Sequence, residues 1–314
     1  MDEGIIIKST GKFYTIRNTQ TNEVFSGIIR GKFKLQGLPL TNPVAVGDIV
    51  DYQLENDIAV IKHIHDRSNY VVRQSPRKKH FLHLMASNID QVMLITTVVE
   101  PMLKQGFIDR LLLMTEPYHI PVIIVFNKWD LYSEEDKEVF FALRYIYEKI
   151  GYKVLFCSAA TMEGLEQISD LLSSKLTLIA GQSGVGKSSI INQLVPGLDL
   201  KTDEISDYSG KGQHTTTFAE MHELGESTHI IDTPGIKTLG FNHLEAIDVA
   251  HNFREFFEFS SSCRFGDCIH INEPGCAVKK AIEEDEISIL RYQNYVQILD
   301  EIENQNYWER IKEY

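Results

Sequence analysis

The stretch Leu176–Ser189, LTLIAGQSGVGKSS, constrains most tightly how this 314-residue chain can fold. An apolar run is followed by a glycine-rich turn and then by SSIINQL, which is typical of a buried strand, a loop and a helix. Residues 181–188 fit G-x-x-x-x-G-K-[ST], whose backbone N–H groups cradle phosphate oxygens. The alternative is a glycine-rich turn with a chance Lys-Ser pair, and the flanking patterns argue against it.

Each residue of this loop has an expected role at a bound nucleotide. Lys187 would reach the β- and γ-phosphates and is a predicted catalytic residue, and the Ser188 hydroxyl would bind magnesium. The glycines carry no Cβ, so the backbone can turn tightly around the phosphates. The other predicted nucleotide contacts are Gly181, Gln182, Ser183, Gly184, Val185, Gly186 and Ser189.

Apolar strands alternate with helical patterns from residue 83 onward. Repeated units of this kind predict a parallel sheet covered on both faces, and we assign 83–244 to a central α/β domain. The expected strands are 91–99, 121–126, 153–156 and 176–180, and the expected helices are 106–116, 134–150 and 164–174.

Two further motifs follow strands of this domain, where doubly wound sheets bind ligands. Residues 127–130 match N-K-x-D: the Asp130 carboxylate can accept from the N1–H and exocyclic amine of guanine, which adenine lacks. Asn127 can contact the purine edge while the Lys128 stem packs on the ring. Ser158 and Ala159 resemble the S-A loop whose backbone N–H meets guanine O6. NKWD alone could be a chance loop, but together these motifs predict a guanine nucleotide.

The metal and the γ-phosphate have candidate partners beyond the phosphate loop. Asp232 ends a strand in D-T-P-G and would hold magnesium, and Gly235 would sense the γ-phosphate through its N–H. The segment 209–217, SGKGQHTTT, can offer Thr215 or Thr216 to the metal, and we take Thr216 as the catalytic and metal-binding candidate. A plain flexible loop is the alternative for either threonine.

These elements are those of a GTPase, but their order is unusual. The N-K-x-D and S-A motifs precede the phosphate loop, whereas a Ras-like chain has them after it. The chain can begin at a different strand of the same sheet, because the two termini of a domain often lie close together. The motif order therefore indicates circular permutation. The second switch then leads directly into the region after residue 245, which could receive the nucleotide signal.

One position of the second switch departs from Ras-type enzymes. They place a glutamine directly after D-x-x-G to orient water, and here that residue is Ile236. We therefore expect slow intrinsic hydrolysis, with a partner or another residue supplying the function. His214 is one candidate because imidazole can orient or deprotonate water. A surface histidine in a polar loop is an equally open interpretation.

Short strands broken by turns fill residues 1–67 and predict a small OB-like barrel, a fold that often binds RNA. A polar, basic connector follows at 68–82. The net charge of −13 argues against nucleic acid, but residues 1–82 hold 12 Lys+Arg against 8 Asp+Glu. A solvated basic linker explains this equally well. The candidate RNA face is Lys12, Phe13, Tyr14, Arg17, Arg30, Lys32, Phe33 and Lys34, although any one aromatic is more readily a core residue.

Three of the four cysteines lie in a short segment with a histidine: Cys263-x4-Cys268-x-His270-x5-Cys276. Three thiolates and one imidazole suit a closed tetrahedral site, so we predict one structural zinc in a helical domain over 245–314. Helices are expected at 244–259 and 278–312.

Apolar runs are too short to span a bilayer and the acidic N-terminus lacks a secretory pattern, so a cytoplasmic protein is expected.

The combination resembles the circularly permuted, ribosome small-subunit-dependent GTPase A family of bacteria. The matching features are the barrel, NKWD, GQSGVGKSS, GQHTTT, DTPGI and the cysteine–histidine pattern, which together cover nearly the whole chain. The resemblance implies a factor in late assembly of the small ribosomal subunit. Such proteins bind the subunit and its rRNA with GTP and Mg, are stimulated by it, and leave after hydrolysis to GDP. We expect a monomer without membrane association.

Two other classes of function are open at this point. One is a GTP-dependent switch that binds a protein effector and never touches RNA. The other is a general P-loop ATPase, which would not use Asp130 to read the base.

Overall fold

The computed structural model describes residues 1–30, 40–74, 81–104, 106–195, 219–233 and 244–310. Within these ranges, eleven strands join edge to edge in one continuous sheet and two more form a separate pair. One end of the continuous sheet closes into a barrel, and the other is a mainly parallel sheet flanked by helices. Helices also form the C-terminal part, so the predicted multidomain architecture is confirmed.

The barrel is closed because its first strand pairs with both its second and its fourth. The strand order is β1-β2-β3-β5-β4, and Ile6, Ile16 and Tyr52 are fully buried inside. This confirms the OB-like barrel that the short alternating strands predict. Its strands are β1 (Asp2–Ser9), β2 (Tyr14–Asn18), β3 (Val24–Ile29), β4 (Ile49–Glu55) and β5 (Ile58–Ile64).

Members of the candidate RNA face have different environments. Phe13 lies in the turn between β1 and β2 and is 63% exposed, whereas Tyr14 is 4% exposed and packs in the barrel core. The core interpretation therefore applies to Tyr14. Arg30 pairs with Glu55 on the surface. The remaining predicted members at 32–34 lie outside the described residues.

The connector predicted at 68–82 contains a strand that sequence patterns did not reveal. β6 (Tyr70–Gln74) pairs antiparallel with β7 (Leu82–Ser87). The sequence between these two strands is polar and basic, which is typical of a linker. The sequence therefore did not predict that the strands pair. The domain boundaries themselves stay predictions.

The central sheet has the order β10-β9-β8-β11-β13-β12, with β12 antiparallel to β13 and the other pairings parallel. Side chains alternate between its faces, so Leu94 joins the core under α1 and α2 while Ile95 joins the core under α3 and α4. The strands are β8 (Gln91–Thr96), β9 (Val122–Phe126), β10 (Lys153–Phe156), β11 (Leu176–Gly181), β12 (Ala219–Gly225) and β13 (Thr228–Asp232); the helices are α1 (Phe107–Thr115), α2 (Glu134–Lys149), α3 (Leu165–Leu172) and α4 (Lys187–Leu194).

The barrel and the central sheet are joined by one antiparallel pairing. Lys8 and Ser9 at the end of β1 pair with Glu220 and Ala219 at the start of β12, and Lys8 also forms an ion pair with Glu220 at 2.7 Å. Arg17 of the predicted RNA face contributes to this seam, where it contacts His229 at 3.0 Å. The two parts therefore share backbone hydrogen bonds.

Each helix predicted in the C-terminal region is two helices. Within residues 244–310 these are α5 (Ala246–His251), α6 (Arg254–Ser260), α7 (Ala277–Glu283) and α8 (Ile289–Arg310). Phe253 is extended and buried, which separates α5 from α6. Asp285 has a positive φ of 58° and separates α7 from α8. None of the helices in the described ranges is both long enough and apolar enough to cross a membrane.

Candidate functional site

The phosphate loop connects β11 to α4, as the sequence predicts. Gly186 has a φ of 89°, and a Cβ at this position would lie 2.2 Å from Nδ2 of Asn127. A Cβ on Gly181 would lie 2.2 Å from the carbonyl oxygen of Ile95. Only glycine lets the loop approach these two neighbours, so the glycines fix both its shape and its place beside the base-reading motif.

Lys187 is folded into the loop at the first turn of α4. It is 9% exposed, and its Nζ donates to the carbonyl oxygens of Gly181 at 3.2 Å and Gln182 at 2.8 Å. Burial lowers the pKa of Lys187, an effect opposed by the nearby carboxylate of Asp232. The ammonium therefore lies in a poorly solvated position, where an added anion would interact with it strongly.

Asn127 of the N-K-x-D segment forms hydrogen bonds with both the phosphate loop and the S-A loop. Its Nδ2 donates to the carbonyl oxygen of Val185 in the phosphate loop at 2.8 Å. Its Oδ1 accepts from the backbone N–H of Ala159 at 3.2 Å and from the thiol of Cys157 at 3.4 Å. Burial raises the pKa of Cys157 to about 12, so the thiol stays protonated and donates. The sequence identified Cys157 only as a buried apolar residue and missed this contact.

Asp130 is oriented by Ser158. The Ser158 hydroxyl is fully buried, donates to Oδ1 of Asp130 at 2.5 Å and accepts from the N–H of Thr161 at 3.0 Å. Ser158 therefore acts on the carboxylate that we expect to read guanine. The sequence predicted Ser158 as a nucleotide contact and did not indicate this orienting role.

A loop after β8 also contacts the site, and no motif pointed to it. The Nζ of Lys128 donates to the carbonyl oxygen of Glu100 at 2.6 Å. The hydroxyl of Tyr132 accepts from the N–H of Val98 at 2.7 Å. These contacts hold the N-K-x-D segment to the loop after β8, the strand that lies between β9 and β11 in the sheet. No sequence pattern predicts these contacts, because they form only when neighbouring strands bring the residues together.

The three motifs enclose a common cavity of about 240 Å³. Its walls combine the N-K-x-D segment, the S-A loop and the start of α4. The lining residues are Asn127, Lys128, Asp130, Leu131, Ala159, Ala160, Gly186 and Ser189. Polar groups suited to a purine edge thus lie at one end of the phosphate loop.

Asp232 reaches the same end of the sheet. It ends β13, is 1% exposed and lies opposite Ile179 of β11 in the parallel register. A buried carboxylate beside the loop that presents Ser188 suits the oxygen ligands of magnesium. The other predicted participants, His214, Thr216 and Gly235, lie outside the described residues.

The cysteine–histidine segment forms a second candidate site. The ligand atoms of Cys263, Cys268, His270 and Cys276 all lie within 4.8 Å of one another. The Nδ1 of His270 is 3.3 Å from the Cys276 sulfur, and the Cys263 and Cys276 sulfurs are 4.0 Å apart. A zinc tetrahedron with Zn–S bonds of about 2.3 Å has sulfur–sulfur edges of about 3.8 Å. The spacing is close to that of a tetrahedral zinc site.

Backbone donors and a neutral imidazole favour ligation by this cluster, whereas burial raises the pKa of the Cys268 and Cys276 thiols, which a bound cation would offset. The Cys276 sulfur caps α7 by accepting from the N–H of Lys279 at 3.4 Å, and the Cys263 sulfur accepts from the N–H of Ala277 at 3.3 Å. Burial lowers the pKa of His270, which keeps the imidazole neutral and able to bind a metal.

Residues around the cluster hold its loop in place, and the sequence did not reveal them. The Glu273 carboxylate accepts from three backbone N–H groups, at positions 269, 271 and 272. The hydroxyls of Tyr292 and Tyr295 on α8 donate to the carbonyl oxygens of His270 and Ile269. The metal loop is thereby fixed to the long C-terminal helix.

Comparisons with known proteins agree with this geometry. The family model "RsgA GTPase" matches residues 64–242, and the model "RsgA N-terminal domain" matches residues 3–61. A small ribosomal subunit biogenesis GTPase RsgA of Flavobacterium psychrophilum is 45% identical over 95% of this chain and 92% of its own length. The protein of the same description in Bacteroides fragilis is 45% identical over 97% of this chain and 98% of its own length.

Solved structures share the whole architecture. YjeQ from Thermotoga maritima has a TM-score of 0.76 and 33% identity, covering 96% of this chain and 98% of its own. YloQ, described as a circularly permuted GTPase, has a TM-score of 0.71 and 32% identity over 97% and 96% of the two chains. This chain therefore belongs to the RsgA GTPase family and is a GTP-hydrolysing P-loop GTPase with a circularly permuted motif order.

Proposed function

We propose that this protein binds the small ribosomal subunit late in its maturation, hydrolyses GTP in response and then leaves. The observation that carries the GTP-dependent part is the shared cavity of the N-K-x-D, S-A and phosphate loops. Ribosome biogenesis is supported by the names of the relatives, which cover nearly the whole chain. The proposed location is the cytoplasm, where subunits assemble.

At the nucleotide, we assign base recognition to Asp130, Asn127 and the Ala159 N–H. Asp130 would accept from the guanine edge, in an orientation supported by the Ser158 hydroxyl. Adenine offers no matching pair of donors, so it would leave the base-reading carboxylate of Asp130 without its partners on the base, which disfavours adenine. The remaining contacts would come from the phosphate loop and from Gly235.

At the phosphates, we assign charge stabilisation to Lys187. Its Nζ lies among the loop carbonyls, where phosphate oxygens would be within its reach. Ser188, Asp232 and Thr216 would hold magnesium, which neutralises charge on the phosphate oxygens. Asp232 suits this role because it is buried beside the loop.

Water activation is the step that we expect this chain to perform poorly alone. Ile236 occupies the position where Ras-type enzymes use glutamine, and it has no side-chain hydrogen-bonding group. We propose that subunit binding completes the site, with His214 as the candidate group that orients the water.

We assign rRNA contact to the barrel and a structural role to the C-terminal zinc. Phe13, 63% exposed, and the adjacent Lys12 offer a stacking surface and a charge at one turn of the barrel. The acidic chain favours docking of a monomer at one shaped site over broad RNA binding. Zinc would be held by all four ligands, which leaves no open position for chemistry.

The test is GTP turnover by the purified protein with and without purified small subunits. We expect slow turnover alone and strong stimulation by small subunits, with large subunits as the matched control. Binding should persist with a non-hydrolysable GTP analogue and be lost in GDP. Equal turnover with and without small subunits would contradict the proposal.

A further inference from the structure

A second pocket lies where α2 of the central domain meets the C-terminal helices. It has a volume of about 220 Å³ and is lined by Tyr145 and Ile146 of α2, by residues 285–289 and by Arg291. Tyr145 is 68% exposed and Ile289 is 56% exposed, so apolar side chains stand at its mouth. In the described part of the chain, this pocket shares no lining residue with the nucleotide cavity.

The walls of the pocket are fixed by a buried charge network. Arg291 is 2% exposed and donates to both carboxylate oxygens of Glu255, at 2.7 and 3.0 Å, and to Asp109 at 2.6 Å. Tyr147 and Asn294 also donate to the Asp109 carboxylate. These contacts join α1, α2, α6 and α8, so the pocket is formed before any partner binds.

The network carries an excess of negative charge. Arg291 is shared by two carboxylates, and burial raises the pKa of Tyr147, which keeps its hydroxyl neutral. Arg291 and Glu255 line the pocket as an ion pair, whereas the second carboxylate of the network, Asp109, is buried and does not line it.

The unbalanced negative charge of the pocket lies at its rim. Asp285 and Glu286 line the pocket, and among the described residues neither carboxylate forms an ion pair. The cation at the rim, Lys149, donates from its Nζ to the backbone oxygen of Asp285 at 3.3 Å. A nucleic-acid backbone would meet repulsion here. A lysine or arginine could pack its methylene stem on Tyr145 and Ile289 while its charged end reaches the carboxylates.

We propose that this pocket docks a lysine- or arginine-rich segment of a ribosomal protein. The inference rests on the proposed function, because the small subunit is the source of that segment. It assigns a protein contact to the junction of α2 with the C-terminal helices, separate from the rRNA contact assigned to the barrel.

The first test is site-specific cross-linking in the full-length, zinc-bound protein. Ile289 is replaced by photoreactive benzoylphenylalanine, and the protein is bound to purified small subunits with a non-hydrolysable GTP analogue. We expect cross-links to a ribosomal protein, in a peptide rich in lysine or arginine. Cross-links to rRNA alone, or to a ribosomal segment without basic residues, would overturn the inference.

The second test changes the charge and the apolar lip separately. Glu286→Lys and Tyr145→Ser should each weaken small-subunit binding, by about tenfold for the charge reversal, and should leave basal GTP turnover unchanged. Glu226→Lys, an exposed carboxylate in the turn between β12 and β13, is the matched control and should bind normally. Circular dichroism and zinc content verify that all variants are folded.

The outcomes separate the two proposals. Wild-type protein that fails to bind small subunits would refute the proposed function and this inference together. If the wild-type protein binds small subunits and the Glu286→Lys and Tyr145→Ser variants bind them equally tightly, the docking inference alone is overturned.

Discussion

The candidate nucleotide site and the candidate metal centre are built in opposite ways. The nucleotide site brings together loops from the ends of different strands, and protein hydrogen bonds already join them: Asn127 to Val185, Ala159 to Asn127, and Ser158 to Asp130. The metal centre takes all its ligands from residues 263–276, and their sulfur and nitrogen atoms cluster within 4.8 Å.

The difference shows what each site depends on. The sheet and its hydrogen bonds arrange the nucleotide site in advance, so it needs no ligand to hold its shape. Thiolates packed this closely repel one another unless a cation lies between them, so the metal centre depends on its metal. Damage to either site should therefore affect the other only weakly.

The largest expected effect is loss of the metal. Cys276→Ser should reduce bound zinc from about one per chain to nearly none and lower the thermal midpoint by roughly 5–10 °C. GTP affinity should change by less than about threefold, because the nucleotide cavity lies in a different domain. Elemental analysis, calorimetry and fluorescent-GTP titration measure these quantities.

Cys157→Ser is the control for this variant, since Cys157 belongs to the nucleotide site and should retain the zinc. Full zinc occupancy in Cys276→Ser would contradict the assignment of the ligands.

Lys187→Ala should have the next largest effect. Removing a buried ammonium beside the phosphates should lower the rate of GTP hydrolysis by roughly 10²–10³-fold while zinc content stays at the wild-type level. Single-turnover hydrolysis measures the chemical step. Lys153→Ala, an exposed lysine on β10, is the matched control. A loss of only about threefold would show that Lys187 is not a catalytic contact.

Asp130→Asn tests base recognition. Replacing the carboxylate removes an acceptor for the guanine N1–H and amine, so GTP affinity should fall by roughly 100-fold. Xanthosine triphosphate should bind better than to the wild type, because its ring carries an oxygen in place of the amine. Competition titrations with both nucleotides, beside an Asp170→Asn control on α3, measure the shift. Unaltered base preference would contradict the assignment.

Ser158→Ala should have the smallest effect of the series. The loss of one hydrogen bond to Asp130 should weaken GTP binding by about five- to tenfold. In the Asp130→Asn background, Ser158→Ala should reduce GTP affinity much less, because the hydrogen-bond partner of Ser158 is already altered. Equal losses in both backgrounds would mean that Ser158 acts on something other than Asp130.

Much of this architecture follows from local patterns in the sequence. The barrel strands alternate, the central strands are continuously apolar, and the phosphate loop contains glycines that no other residue could replace, such as Gly186 with its φ of 89°. The four metal ligands are close in sequence, so their clustering required no knowledge of the fold.

Features that depend on distant contacts were missed. The pairing of β6 with β7 joins strands around a basic segment that resembles a linker. Glu100 and Tyr132 contact the nucleotide-site loops only because neighbouring strands bring them there. The breaks at Phe253 and Asp285 interrupt patterns that are helical on both sides, and tertiary packing rather than a proline or glycine sets them.

The most direct test of the contrast between the two sites is amide hydrogen exchange on the intact protein, before and after zinc is removed with a chelator. We expect a large loss of protection in residues 261–283, with residues 127–130, 158–159 and 181–189 exchanging as before. Simultaneous loss of protection in the nucleotide loops, or unchanged protection of residues 261–283 once zinc is gone, would contradict that contrast.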